Sequence, residues 1–329
     1  VRHAGRELAA DDHRAHGHGD DMTRGIITGI QRLCLHDGPG LRTTVFFKGC
    51  PMRCRWCHNP ETQSPRPQPL LHADKCVGCG ACEAVCPEGC HRMEGRRFES
   101  ARCSQCMRCV QVCPSGALEA CGQFWESALL ADRLARDLPF FGETGGVTLS
   151  GGEPTFQPEF ALALLDELKA RKIDTAMETC GAFPAALLDA LLPRVDHFLW
   201  DVKDTDPERH LKNTGYPLAP ILDNLARACA AGADVCVRGI IVKGVNALLE
   251  HAEKLGKLAR QLGAGDCRLL RFHPYYSAKL TSVGRPDEAM GQAYVPDDKT
   301  MERLTRTMQN AFGRACVSPG ESCSQIQGE

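Results

Sequence analysis

The chain has 329 residues, 43% hydrophobic and 6% aromatic, with a formal net charge of −2. That length holds one large domain, or a large domain and a small module, and near-neutral charge without a basic stripe gives nucleic-acid binding no electrostatic support. No run of about 18 apolar residues suggests a membrane span and no apolar signal-peptide core stands at the start, so the expectation is a cytoplasmic monomer with neither a membrane nor a nucleic-acid partner.

Residues 1–21 are polar, rich in Asp, Arg and His, and lack a periodic apolar face. They read as a disordered extension ahead of Met22, with His13, His16 and His18 as solvated coil rather than a metal site. From Ile26 to Lys48 the chain is apolar and β-rich, broken by the turn Asp37-Gly38-Pro39-Gly40. Thr43–Lys48 reads as a buried strand running into a cysteine loop. Residues 58–71 are Pro-rich and read as a linker. Residues 72–118 hold eight regularly spaced cysteines and little apolar material, as in an inserted module held together by what its cysteines bind.

Helix and strand then alternate: helix near 125–138, strand 147–149, helix 156–170, strand 173–178, helix 184–192, strand 197–202, helix 218–231, strand 234–242, helix 247–262 and strand 267–272. Such repetition predicts a parallel sheet with helical crossovers. With Thr43–Lys48 the count is six strands, an α/β chain folded as a partial (β/α)6 TIM-like barrel. The expected domains are the barrel over 22–71 and 119–313, the small α+β insertion over 72–118, and a polar tail over 314–329.

Twenty cysteines are far above ordinary usage, and they cluster at gaps of two and three residues. Without a secretion signal, such density points to metal or redox chemistry rather than a disulfide scaffold. Cys50, Cys54 and Cys57 follow the first strand. Three thiolates on a four-iron cluster leave one iron open to chelate a substrate. A zinc site completed by His58 is the alternative. Ser150-Gly151-Gly152-Glu153-Pro154 follows another strand; paired glycines expose backbone to a ligand, although an ordinary strand-to-helix turn has the same composition.

Cys-x3-Cys-x-Trp-Cys, with Trp56 as the aromatic, resembles the radical S-adenosylmethionine superfamily. The stretch DGPGLRTTVFFKGCPMRCRWCHNPET (Asp37–Thr62) resembles the activating enzymes of glycyl radical enzymes, of which pyruvate formate-lyase activase is the best-known type. The resemblance spans about residues 25–312 and implies a barrel of the radical S-adenosylmethionine type. It implies that Gly151, Gly152 and Glu153 meet the methionine amino group and that Lys203 pairs with its carboxylate. Glu178 and His273 would contact the methionine or ribose region and Arg238 would lie near the co-substrate, a buried Arg paired with a carboxylate being the alternative. It further implies a monovalent cation near Asp201, although Glu178 stands where pyruvate formate-lyase activase has Asp.

Cys76-x2-Cys79-x2-Cys82-x3-Cys86-Pro87 and Cys103-x2-Cys106-x2-Cys109-x3-Cys113-Pro114 repeat the bacterial ferredoxin run, whose fourth cysteine ligates the other cluster. The expected sets are Cys76, Cys79, Cys82 and Cys113 for one cluster, and Cys103, Cys106, Cys109 and Cys86 for the other; two zinc ribbons are the alternative. Such an insertion marks a longer subgroup of these activases. Nine cysteines are left over, among them Cys90, Cys180 and Cys121; most read as buried small hydrophobes or incidental thiols, with Cys180, in a motif loop, as a candidate neighbour of the co-substrate.

The implied chemistry is reductive cleavage of S-adenosylmethionine, with three [4Fe-4S] clusters and reduced flavodoxin or ferredoxin as electron donor. The resulting radical would take a glycine hydrogen from a partner glycyl radical enzyme. A radical enzyme acting on a small molecule or maturing another protein, and a pure electron-transfer iron–sulfur protein, are the competing readings.

Overall fold

The computed structural model describes residues 23–313; the expectations for residues 1–21 and 314–329 lie outside them. Arg24–Cys34 (β1) and Arg42–Phe47 (β2) form an antiparallel pair. The module follows as Gln68–Leu71 (β3), Ala81–Val85 (α1), His91–Arg92 (β4), Arg97–Phe98 (β5), Arg108–Gln111 (α2) and Leu118–Cys121 (β6). Gln123–Glu126 (β7), Ser127–Ala135 (α3) and Leu138–Phe141 (α4) lead back to the barrel. The alternation is then Gly146–Gly151 (β8), Pro158–Ala170 (α5), Asp174–Thr179 (β9), Ala185–Leu191 (α6) and His197–Asp201 (β10). Pro207–Thr214 (α7), Ala219–Ala230 (α8), Asp234–Ile241 (β11), Leu249–Leu262 (α9), Asp266–Arg271 (β12), Ser277–Ser282 (α10) and Asp298–Phe312 (α11) complete it.

The main sheet has eight strands in the order β12-β11-β10-β9-β8-β2-β1-β7. From β2 to β12 every pairing is parallel and follows chain order, the succession of a partial (β/α)6 barrel. Its core joins strand residues such as Val45, Val147, Met177, Trp200 and Val237 to helix stripes. In α5 the buried residues are Phe160, Ala161, Leu164, Leu165 and Leu168, a 3.6-period face.

The sheet is wider than six strands because β1 and β7 add antiparallel to its β2 edge. The end of β7, Trp125 and Glu126, is therefore strand where a helix was expected, and that helix begins only at Ser127; pairing of β7 with Arg24–Ile27 outweighs local propensity. The expected linker is structured too. Pro60, Glu61 and Thr62 are buried in a 3-10 turn, and β3 pairs with β6 across the neck of the module, where an edge tolerates Pro69. Helix α11 was not anticipated. Asp297 caps it by accepting from the Thr300 amide at 2.8 Å, and Met301, Leu304, Met308 and Phe312 form its buried stripe. That stripe lies on α9, where a Cβ at Gly256 would stand 2.3 Å from the Met308 carbonyl oxygen.

Candidate functional site

The three-cysteine loop leaves the carboxyl end of β2 and is pinned from several sides. The Gly49 amide donates to the Thr62 carbonyl at 2.6 Å, Arg53 N–H to Thr214 at 2.7 Å and Arg55 N–H to Asn213 at 3.0 Å. The last two acceptors close α7, an element the sequence reading lacked. Lys279 on α10 donates to the His58 carbonyl at 3.0 Å and to Asn59 Oδ1 at 2.7 Å, and pairs with Glu61 Oε1 at 2.9 Å. Buried Lys48 donates to the Glu61 carbonyl at 2.7 Å. No short-range pattern announces Lys279, since its partners are more than 200 positions away in sequence.

Cys50 and Cys54 lie against Met52, Cys180, Ala182 and Ile221. Burial pushes the Cys57 thiol up to about 11 and Cys54 higher still, whereas contact with the Cys180 thiol lowers Cys50. Thiols held protonated by burial become ligands when a cation displaces their protons. Trp56 is buried with Phe272 and Tyr276. Its indole N–H and His58 Nε2, on either side of Cys57, are buried without a partner among the described residues. Orphaned polar atoms beside three thiols fit a site completed by a bound group.

Beneath the loop, β9 and β10 carry Glu178 and Asp201 to their carboxyl ends, where ligands of parallel barrels sit, and mid-strand Arg238 of β11 stands in register with Asp201. Arg238 bridges both acids, its Nε 2.7 Å from Asp201 Oδ1 and its Nη1 2.6 Å from Glu178 Oε1. Lys203 Nζ donates to Asp201 Oδ2 at 2.8 Å, and the Ser150 hydroxyl donates to Glu178 Oε2. Burial alone would raise Asp201, but Arg238 and Lys203 outweigh it and hold the carboxyl at about 2. For Glu178 burial wins and its pKa is raised. Burial lowers Lys203, yet Asp201 and the Cys54 thiol more than compensate, so the ammonium stays charged.

The glycine pair also packs against the backbone that leads into the cysteine loop. A Cβ at Gly151 would lie 2.4 Å from the Phe47 nitrogen, and one at Gly152 would lie 2.2 Å from the Gly49 oxygen. The Gly152 and Glu153 amides donate to the Phe47 and Gly49 carbonyls. These glycines thus let β8 close against the root of the cysteine loop. Glu153 accepts from the Thr155 hydroxyl at 2.7 Å, the Thr179 hydroxyl at 3.0 Å and the Cys180 amide at 2.8 Å, which ties β8 to β9. His273 stands apart from the charged group, exposed and stacked on Tyr275 with centroids 5.6 Å apart.

The Asp37–Thr44 signature lies at the opposite end of the barrel. Arg42 begins β2 opposite Gly146, fully buried, donating to Thr148 Oγ1 at 2.8 Å and to the Pro39 and Val147 carbonyls at 3.0 Å, and pairing with Asp174 at 2.8 Å. Asp37 accepts from Thr44 and Thr148 at 2.6 Å. A six-residue strand separates this plug from the cysteine loop by roughly 20 Å.

In the module the thiols surround two cavities. One is lined by Cys76, Cys79, Cys82 and Cys113 together with Leu71, Val77 and Leu118. The other is lined by Cys86, Cys103, Cys106 and Cys109, and also by Cys90. The donor chemistry, thiols around apolar hollows, fits iron–sulfur clusters. Among the described residues no three His, Cys, Asp or Glu side chains converge as a single ion requires.

Residues 102–257 match the Radical SAM superfamily, and residues 75–117 match the 4Fe-4S dicluster domain. The benzylsuccinate synthase activating enzyme of Thauera aromatica is 42% identical over 275 residues, 79% of this chain and 82% of that one. The choline trimethylamine-lyase activating enzyme of Oleidesulfovibrio alaskensis is 42% identical over 229 residues, 68% of this chain and 74% of that one. A radical SAM methyltransferase structure from Sphaerobacter thermophilus, 15% identical, covers 86% of this chain and 68% of its own with a TM-score of 0.50, a likeness of fold. A radical SAM domain carries a [4Fe-4S] cluster and uses S-adenosylmethionine, and among the described residues no helix is long and apolar enough to cross a membrane. The chain belongs to the radical SAM family of glycyl radical enzyme activating enzymes.

Proposed function

We propose that Cys50, Cys54 and Cys57 hold a [4Fe-4S] cluster at the barrel mouth, and that S-adenosylmethionine binds between it and the Glu178–Asp201–Lys203–Arg238 group. The product radical would take a hydrogen atom from a glycine of a partner glycyl radical enzyme. The observation that carries this reading is a buried, charge-balanced group directly beneath three thiols of one loop. A cluster held by Cys50, Cys54 and Cys57 would supply the electron for cleavage of S-adenosylmethionine between its sulfonium and 5′ carbon, the source of methionine and the 5′-deoxyadenosyl radical.

The chain's own residues bind, orient and exclude water. Lys203 is the cation for the methionine carboxylate, and Arg238 keeps both acids ionically satisfied so that Lys203 can exchange partners. Glu153, Gly151 and Gly152 act by fixing the strand-end backbone, and Trp56 by walling the pocket. His273 contributes at the rim. A monovalent cation beside Asp201 finds both carboxylate oxygens already engaged, so this reading assigns that charge to Arg238 and Lys203. The cavities support crossed ligation of two further clusters, by Cys76, Cys79, Cys82 and Cys113 and by Cys103, Cys106, Cys109 and Cys86, giving three in all. These would relay electrons from a reduced flavodoxin or ferredoxin into a barrel over 22–71 and 119–313 that works as a monomer.

The test is anaerobic incubation of the reduced protein with S-adenosylmethionine. Equal amounts of methionine and 5′-deoxyadenosine are expected, with a glycyl radical signal when the partner is added. No 5′-deoxyadenosine from fully reconstituted protein would overturn the reading.

A further inference from the structure

The second module cavity is lined by five cysteines, and a four-iron cluster needs four. The fifth is Cys90, which no ferredoxin spacing claims. It is 1% exposed. Its thiol lies within hydrogen-bonding reach of both Cys86 and Cys103, and its amide donates to Cys86 Sγ at 3.2 Å. Cys86 and Cys90 flank the tight turn Cys86-Pro87-Glu88-Gly89, which is closed by the Gly89 amide on the Cys86 carbonyl at 3.2 Å. The turn brings two thiols to one corner of the cavity, and the Glu99 amide fixes the Cys90 carbonyl at 2.9 Å so that the second thiol is held there. A buried cysteine that only filled space would need no place among the ligands of a neighbouring run.

We infer that Cys90 is an interchangeable ligand of the second inserted cluster, able to take the iron that Cys86 holds. This rests on the reading of the module as a two-cluster carrier. In the exchange one iron–sulfur bond to Cys86 breaks as one to Cys90 forms. The proton leaving the Cys90 thiol passes to the Cys86 thiolate, and the irons keep their oxidation states. The site thus keeps four ligands when either thiol is lost.

The test compares Cys86→Ala, Cys90→Ala, the double variant and Cys106→Ala, each anaerobically reconstituted, by iron content and by the electron paramagnetic resonance of the reduced clusters. The unaltered protein should hold about twelve irons and Cys106→Ala about eight, which checks the cluster reading itself. Both single variants should keep about twelve irons, with Cys86→Ala showing altered g values for one cluster. The double variant should fall to about eight. Loss of four irons in Cys86→Ala alone, or a full complement in the double variant, would overturn the inference. Circular dichroism and the barrel cluster's own signal identify any variant that has failed to fold; for such a variant the same comparison is made with Ser in place of Ala.

Discussion

The barrel and the module solve the problem of stability with different materials. The barrel buries Leu130, Leu149, Phe160, Leu164, Phe198 and Trp200 completely or nearly so, each side chain contributing about 1.5–3 kcal/mol. The module's core is Leu71, Cys90, Phe98, Cys109, Ala117 and Leu118, edged by Cys76, Cys82, Cys86, Cys103 and Cys113. A segment of that size cannot offset its chain entropy by apolar burial alone. The comparison teaches that one chain can carry one cofactor as a guest of a finished fold, and others as the framework of an unfinished one.

The largest expected effect breaks the two apart. Iron chelation should collapse the amide protection of residues 72–118 while strands β8 to β11 stay protected, as hydrogen exchange would report. Equal loss in both would remove the distinction. Cys54→Ala should abolish 5′-deoxyadenosine formation and remove about a third of the iron, with the module clusters intact. Its counterpart, Cys79→Ala with Cys106→Ala, should cut activity driven by reduced flavodoxin steeply and activity driven by a strong small-molecule reductant much less. Equal loss from both sources, with the barrel cluster intact, would contradict a relay.

Arg238→Met leaves Glu178 with only the Ser150 hydroxyl and Asp201 with Lys203 alone, and breaking this buried network should cost about 3–5 kcal/mol in denaturant unfolding of the barrel. A smaller effect concerns pH at the far end of the barrel. Burial lowers His197, but Asp174 at 3.1 Å and Asp234 at 2.6 Å outweigh it and push its pKa up to about 9. Since that lies above the unfolded value, the stabilisation is complete below about pH 6.5 and is lost as pH rises through about 9. Barrel stability should therefore fall by on the order of 2 kcal/mol across that window, and His197→Gln should flatten the slope. A comparable effect is expected of Lys279→Met, which frees the loop after Cys57 and should lower stability by about 1–3 kcal/mol; Arg in its place should restore part of it.

Spacing and periodicity marked the three cysteine motifs, the six parallel strands and the strand-end positions of Glu178 and Asp201, because ligand spacing and strand periodicity are local properties of the chain, whereas Arg238, inside its strand, was singled out by resemblance. What lay beyond it was decided by contacts between distant residues. The β1 and β7 edge, the buried Pro60–Thr62 turn and the Lys279 anchor depend on partners far along the chain. The glycine pair at 151 and 152 serves backbone packing because the Phe47–Gly49 backbone occupies the space a Cβ would need. The Asp37–Thr44 signature identifies the family from the sequence, yet only the fold places it as a buried plug at the end away from the cysteines. Cys90 illustrates the same limit. Its spacing belongs to no motif, and only the turn after Cys86 brings its thiol among the four it joins.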